Sequence, residues 1–163
     1  MVLEEIVFSE FPTHIPLTKT KSFKISTQSI YNAKLHHHSR SSVISKMKEY
    51  VTTILVSSRR NIYVKNEMFP IKIELTFFAP VNWGSVRMSK GVINWKTPPK
   101  NYHPTHDLDN FAWIWSKVIQ DCLVSSGIIP EDTVEFINVL EYRYEEVPTF
   151  KDRKIQLRII KSV

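Results

Sequence analysis

Six apolar residues recur at helical spacing between Phe111 and Cys122, and carboxylates stand at both ends of the run. Phe111, Ile114, Trp115, Val118, Ile119 and Cys122 make one stripe of a helix predicted from about Asp109 to Leu123. Asp109, Trp113, Ser116, Lys117, Gln120 and Asp121 fall on the opposite side. Gly127 lies where such a helix has already stopped, and Pro130 enforces the break. A stripe this wide has to be buried against another layer of structure.

The rest of the chain supplies that layer. Ile71, Ile73, Leu75 and Phe77 alternate with Lys72, Glu74 and Thr76, which predicts a half-buried strand ended by Pro80. Residues 2–8 predict a first strand, and two more are predicted near 134–144 and 154–160. A second helix is expected to start at Ser41 or Ser42 as N-cap. Its stripe is Val43, Ile44, Met47, Tyr50, Val51, Ile54 and Leu55, with Arg59 and Arg60 at its C-terminal end. The order β-α-β-α-β-β predicts an α+β fold, a mixed sheet with two principal helices packed on it. No repeat or boundary divides the 163 residues, so a single domain is expected over 1–163. Residues 12–40, rich in Ser, Thr, Lys and His, read as an irregular basic loop region. Residues 81–106 form a long basic and aromatic excursion, with Ser89-Lys90-Gly91 able to turn a hairpin inside it.

Charge narrows the partners. Residues 11–100 hold 15 Lys and Arg against 3 Asp and Glu, while each flank carries a net of −3, leaving +6 overall and a pI near 9.4. That imbalance points to an acidic partner, nucleic acid before anionic membrane. Lys19, Lys21, Lys24, Lys34, Arg40, Arg87, Lys90, Lys96 and Lys100 are the reservoir of phosphate contacts. No apolar run is long enough to span a bilayer, and the acidic Met1-Val2-Leu3-Glu4-Glu5 is unlike a signal peptide, so an intracellular setting is expected. The lone Cys122 sits on the apolar stripe and reads as a small core residue. No P-loop, Gly-x-Gly-x-x-Gly or Gly-x-Ser-x-Gly is present, which argues against a nucleotide cofactor and against serine-hydrolase chemistry.

Asp107-Leu-Asp109-Asn110 and, one helix later, Glu131-Asp132 carry the chemistry. Oxygen-only clusters of this kind suit Mg²⁺ or Mn²⁺. Beside a long basic stretch they read as a metal site facing a polyanion. On spacing alone, Asp107 and Asp109 serve equally well as helix caps. Glu131 could ligate or simply repel its neighbours. His36-His37-His38, flanked by Lys34 and Arg40, fits a phosphate-facing loop better than a native Zn²⁺ site. His103 and His106 flank the first aspartate, and either is as well explained by a plain hydrogen-bonded role. Trp113 on the polar side leaves a dimer contact and base stacking both open.

Asp107-Leu-Asp109-Asn110, then Lys117-x-x-x-Asp121-x-Leu123, then Gly127 and Glu131-Asp132, resembles the RusA-type Holliday junction resolvases. The order of predicted elements is similar as well. In that family the lysine follows the asparagine by three residues. Here Trp113 stands at that spacing and Lys117 comes four residues later. A one-turn insertion accounts for this: four residues rotate the face by only ~40° while advancing ~6 Å. The resemblance implies Asp107, Asp109 and Asp132 as ligands of catalytic Mg²⁺, for which Mn²⁺ substitutes, and Lys117 as the stabiliser of the phosphate oxygens. It further implies a homodimer that resolves four-way DNA junctions by paired phosphodiester hydrolysis in recombination and repair. The alternative is a non-cleaving binder of branched or single-stranded DNA with the same fold. A phosphohydrolase acting on small esters fits the carboxylates but leaves the basic stretch unexplained.

Overall fold

The computed structural model describes residues 1–31, 36–58, 61–80, 85–90, 92–96 and 108–163, with the backbone alone described at 27, 28, 85–89, 93–96 and 109. Within them the fold is α+β. The strands are β1 (Val2–Ser9), β2 (His14–Pro16), β3 (Ser22–Lys24), β4 (Ile71–Ala79), β5 (Ser85–Ser89), β6 (Val92–Lys96), β7 (Ile137–Glu146) and β8 (Lys154–Lys161). The helices are α1 (Thr27–Tyr31), α2 (His37–Ser57) and α3 (Leu108–Ser125). None of the helices is long and apolar enough to cross a membrane.

The main sheet has the order β1-β8-β4-β7. β8 is antiparallel to both β1 and β4, whereas β4 and β7 run parallel. A parallel pair needs a crossover between its strands, and α3 lies on that crossover. The period-2 pattern explains the sidedness: Ile71, Ile73, Leu75, Phe77 and Ala79 are all buried on one face of β4. Ile155, Leu157 and Ile159 of β8 continue that face, as do Ile6 and Phe8 of β1.

Helices cover this side. Val43, Met47, Val51 and Leu55 are the buried row of α2. An aromatic joint ties helix to sheet: Phe11 meets Phe77 edge-on at 6.5 Å between centroids and Trp115 at 5.9 Å. Phe77 meets Phe111 at 5.1 Å, and Tyr50 packs on Trp115 while donating a 2.6 Å hydrogen bond to the Ser9 carbonyl. Arg153 holds the turn before Phe11, donating from Nε to the Phe11 carbonyl at 2.7 Å.

The far side of the sheet carries charge. Glu74, only 3% exposed, accepts from Arg158 at 3.0 Å and pairs with Lys72 at 3.3 Å and Arg143 at 3.4 Å. Glu141 engages both Lys72 and Arg143, and Arg158 reaches Glu5 at 3.7 Å. A buried carboxylate is tolerable only with partners of this kind.

Three expectations need correction. Residues 12–40 are not an irregular loop: β2 and β3 form a hairpin, α1 follows, and α2 begins at His37. The cause is burial of Ile15 and Ile25 in the main core, with the Thr18 hydroxyl accepting the Lys21 N–H at 3.0 Å to close the turn. α2 therefore starts a full turn before Ser41, and its N-cap residue His36 makes no side-chain cap. His36 and His38 stack at 5.3 Å, so the histidine run opens a helix instead of lining a loop. Arg59, Arg60, Gly91 and residues 97–107 lie outside the described residues.

Two predictions follow from the packing. Phe11→Ala should lower the unfolding free energy by about 3–5 kcal/mol in urea titrations, because no neighbour on three elements can refill the joint. Burial, then the nearby Lys24 charge, push the His14 imidazole down to about 4. An unfolded histidine titrates near ~6.5, so the unfolded chain binds the extra proton between these values. Stability should fall as pH drops through that window and level off below it. Urea midpoints against pH should show this limb in the wild type and lose it in His14→Gln.

Candidate active site and nucleic-acid interface

α3 is almost engulfed. Phe111, Ala112, Ile114, Trp115, Val118, Ile119, Cys122 and Leu123 are all buried. So are Ser116, 1% exposed, and Gln120, 7% exposed, contrary to their expected place on the solvent side. The two satisfy each other: the Gln120 amide donates to the Ser116 hydroxyl at 2.8 Å and to the Ser116 carbonyl at 3.1 Å. Among the described residues, exposed Trp113 and Lys117 and half-buried Asp121 make one i, i+4 row, which Ser125 continues.

The turn after α3 brings the next acidic segment back to this row. Gly127 has a φ of 70°, a left-handed conformation that glycine adopts without strain. Around it the Gly127 N–H bonds the Val124 carbonyl at 3.0 Å and the Ile128 N–H bonds the Leu123 carbonyl at 2.9 Å. Ile128 and Ile129 are then buried, and the Ile128 carbonyl accepts the Val64 N–H at 2.9 Å, which anchors the segment leading to Asp132. The Lys117 ammonium donates to Asp132 Oδ2 at 2.7 Å and pairs with Asp121 Oδ1 at 3.1 Å. Asp121 Oδ2 in turn holds Lys48 of α2 at 2.9 Å.

These contacts set the protonation states. Hydrogen bonds from Lys117 to Asp132, then to Asp121, raise the lysine, which stays an ammonium. Burial alone would raise Asp121, but the Lys48 and Lys117 hydrogen bonds outweigh it and hold the carboxyl below its ordinary value. Lys117 and Asp121 therefore stand on the row as a pair of opposite charges. Beside it lies a cleft of about 230 Å³ lined by Trp113, Ser116, Lys117, Gln120, Asp132, Leu140 and Tyr142.

Of the expected site residues, Lys117 and Asp132 thus meet directly. Asp109 is placed by its backbone in the first turn of α3, while Asp107 lies outside the described residues, as do His103 and His106. Among the described residues no three His, Cys, Asp or Glu side chains gather as a metal-sized cluster. Asp132 is nonetheless an oxygen donor at the cleft, held against a cation, which is the donor chemistry a hard divalent ion selects. Cys122 is buried, with Thr52 donating to its sulfur at 3.7 Å, and plays the core role expected of it.

The basic candidates collect on two hairpins. Lys19, Lys21 and Lys24 are exposed on the β2–β3 hairpin. Arg87, Lys90 and Lys96 belong to the β5–β6 hairpin, with Lys90 at its tip at a φ of 50°. β6 lies against β2, so the hairpins are neighbours. Arg40, in the first turns of α2, places its guanidinium over the Tyr31 ring. Lys34 and Lys100 lie outside the described residues.

Trp113 and Tyr31 were not singled out together by sequence, since nothing local links them. Their rings meet edge-on at 5.5 Å. No protein-family model and no curated protein matches this chain.

Gly127→Ala should cost about 1 kcal/mol in chemical denaturation, from backbone strain alone, because a Cβ there meets nothing within 4 Å.

Proposed function

We propose that this chain is a metal-dependent endonuclease similar to the RusA-type junction resolvases, acting on branched DNA as a homodimer. The observation that carries the reading is the 2.7 Å contact between Lys117 and Asp132, two residues that the resemblance assigns to one site and that lie fifteen positions apart. It also supports the one-turn insertion: Lys117 occupies the same open row as Trp113 and still reaches the acidic segment. The two basic hairpins and Arg40 add the cationic surface that a polyanionic substrate requires.

Asp107, Asp109 and Asp132 are the residues that would hold a hard divalent cation. Such an ion supplies charge neutralisation at the scissile phosphate and an activated water. Lys117 contributes fixed positive charge beside Asp132, available to the non-bridging oxygens as their charge grows. Asp121, bridged to Lys48, keeps that ammonium on the row rather than in solvent. A four-way junction presents two symmetric phosphates, and a two-fold dimer supplies two sites for them.

One observation favours a second reading, a DNA binder that does not cut. Trp113 stands at the spacing where the family has its lysine, and Lys117 is already engaged by two carboxylates.

A labelled four-way junction, compared with linear duplex of the same sequence, in Mg²⁺ and in EDTA, separates the two readings. The enzyme reading expects paired, symmetric nicks in the junction with Mg²⁺ only. Asp107→Asn and Asp132→Asn should each reduce cleavage by at least about 100-fold while junction binding persists. Tight binding without nicks in either Mg²⁺ or Mn²⁺ would transfer the chain to the binder class. In both cases affinity should drop steeply as salt rises.

A further inference from the structure

Resting on the nucleic-acid reading above, we propose that the cleft beside Trp113 receives one unpaired nucleobase, stacked against the indole. Trp113 is 44% exposed on a helix that otherwise buries its large apolar side chains. An indole left in water at a cleft mouth is a surface waiting for a flat apolar face.

The indole has an aromatic neighbour that leaves it exposed. Tyr31 packs edge-on against it, with the rings inclined at 70°, and is itself 49% exposed. Arg40 places its guanidinium 5.7 Å from the centre of the Tyr31 ring. A cation next to an exposed aromatic pair suits the phosphate of the nucleotide whose base is stacked.

The cleft fits this occupant in size and polarity. At about 230 Å³ it lies below the ~300–1,000 Å³ of pockets for drug-sized molecules, and it admits one planar heterocycle but no helix or duplex. Leu140 and Tyr142 form the wall opposite the helix, and the buried Ser116 and Gln120 give it a polar floor. Aromatic and apolar walls around polar atoms take any base by its face and tolerate the differences at its edge. Lys117 and Asp132 line the same cleft, so on that reading a base held here belongs to a nucleotide near the reacting phosphate. Taking a base out of the stack costs least where pairing is already broken. The cleft therefore favours DNA with unpaired or strained nucleotides over intact duplex.

The test uses the full chain in EDTA, so that no cleavage interferes. Its probes are a duplex with 2-aminopurine at one bulged position and the same duplex fully paired. Wild-type protein should quench the bulged probe and prefer it. Trp113→Ala should lose the quenching and weaken bulged-probe binding by about tenfold or more, with paired-duplex binding changed less than about twofold. Trp113→Phe should restore most of both signals. Leu140→Phe, which narrows the cleft from β7 without touching α3, should weaken the bulged probe in the same direction. Equal binding of both probes by wild type and Trp113→Ala would overturn the stacking site and leave the nucleic-acid reading standing. Absence of binding to either probe at low salt would overturn both.

Discussion

The burial of α3 on every side but one governs this molecule. A helix normally shows solvent about half its circumference, yet here β4, α2 and α1 pack around it, and among its described residues Trp113, Lys117 and Asp121 form an open row. Chemistry borne by the helix has to emerge along that row. Side chains there are spaced one turn apart on a rigid core-packed rod, and Trp115 fixes its rotation through contacts with Phe11 and Tyr50. A site built on such an element inherits the precision of the core.

The parts of the fold that were legible in the sequence are those where each face of an element meets a single environment. Ile71, Ile73, Leu75 and Phe77 alternate because β4 lies between apolar helices on one side and charged partners on the other, and the stripe of α3 repeats for a similar reason. The reading fails where burial depends on a distant partner. Ile15 and Ile25 look isolated among polar neighbours, but they belong to the main core and convert an apparent loop into a hairpin. Ser116 and Gln120 look like surface residues, but each is the hydrogen-bond partner that makes the other's burial tolerable. The meeting of Lys117 with Asp132 depends on the direction in which Gly127 turns the chain and on where Ile128 anchors. The Gly-Ile-Ile-Pro string at 127–130 held that signal: a left-handed stop, two core residues, then a rigid exit.

Charge is divided by task. On the far face of the sheet, acids and bases alternate across the strands and neutralise one another around Glu74. Further positive charge sits elsewhere, with Lys19, Lys21, Lys24 and Lys90 exposed on the two hairpins, where water and counterions screen it. A single chain can thus bury a carboxylate in its framework and still present a strongly basic surface, because the two populations do not share a face.

The position of β8 sets the order in which this structure can come into being. It is the last strand of the sequence, yet it lies between the first strand and β4, and the Lys161 N–H bonds the Met1 carbonyl at 3.0 Å. During synthesis, β1 and β4 therefore wait without their common neighbour until β8 emerges. Local helices can form early, but the sheet has to join β1 to β8 across all the elements between them, a long-range pairing that favours slow folding. Until that step β1 and β4 lack the strand that joins them, so the nascent chain depends on its own solubility more than the folded protein does.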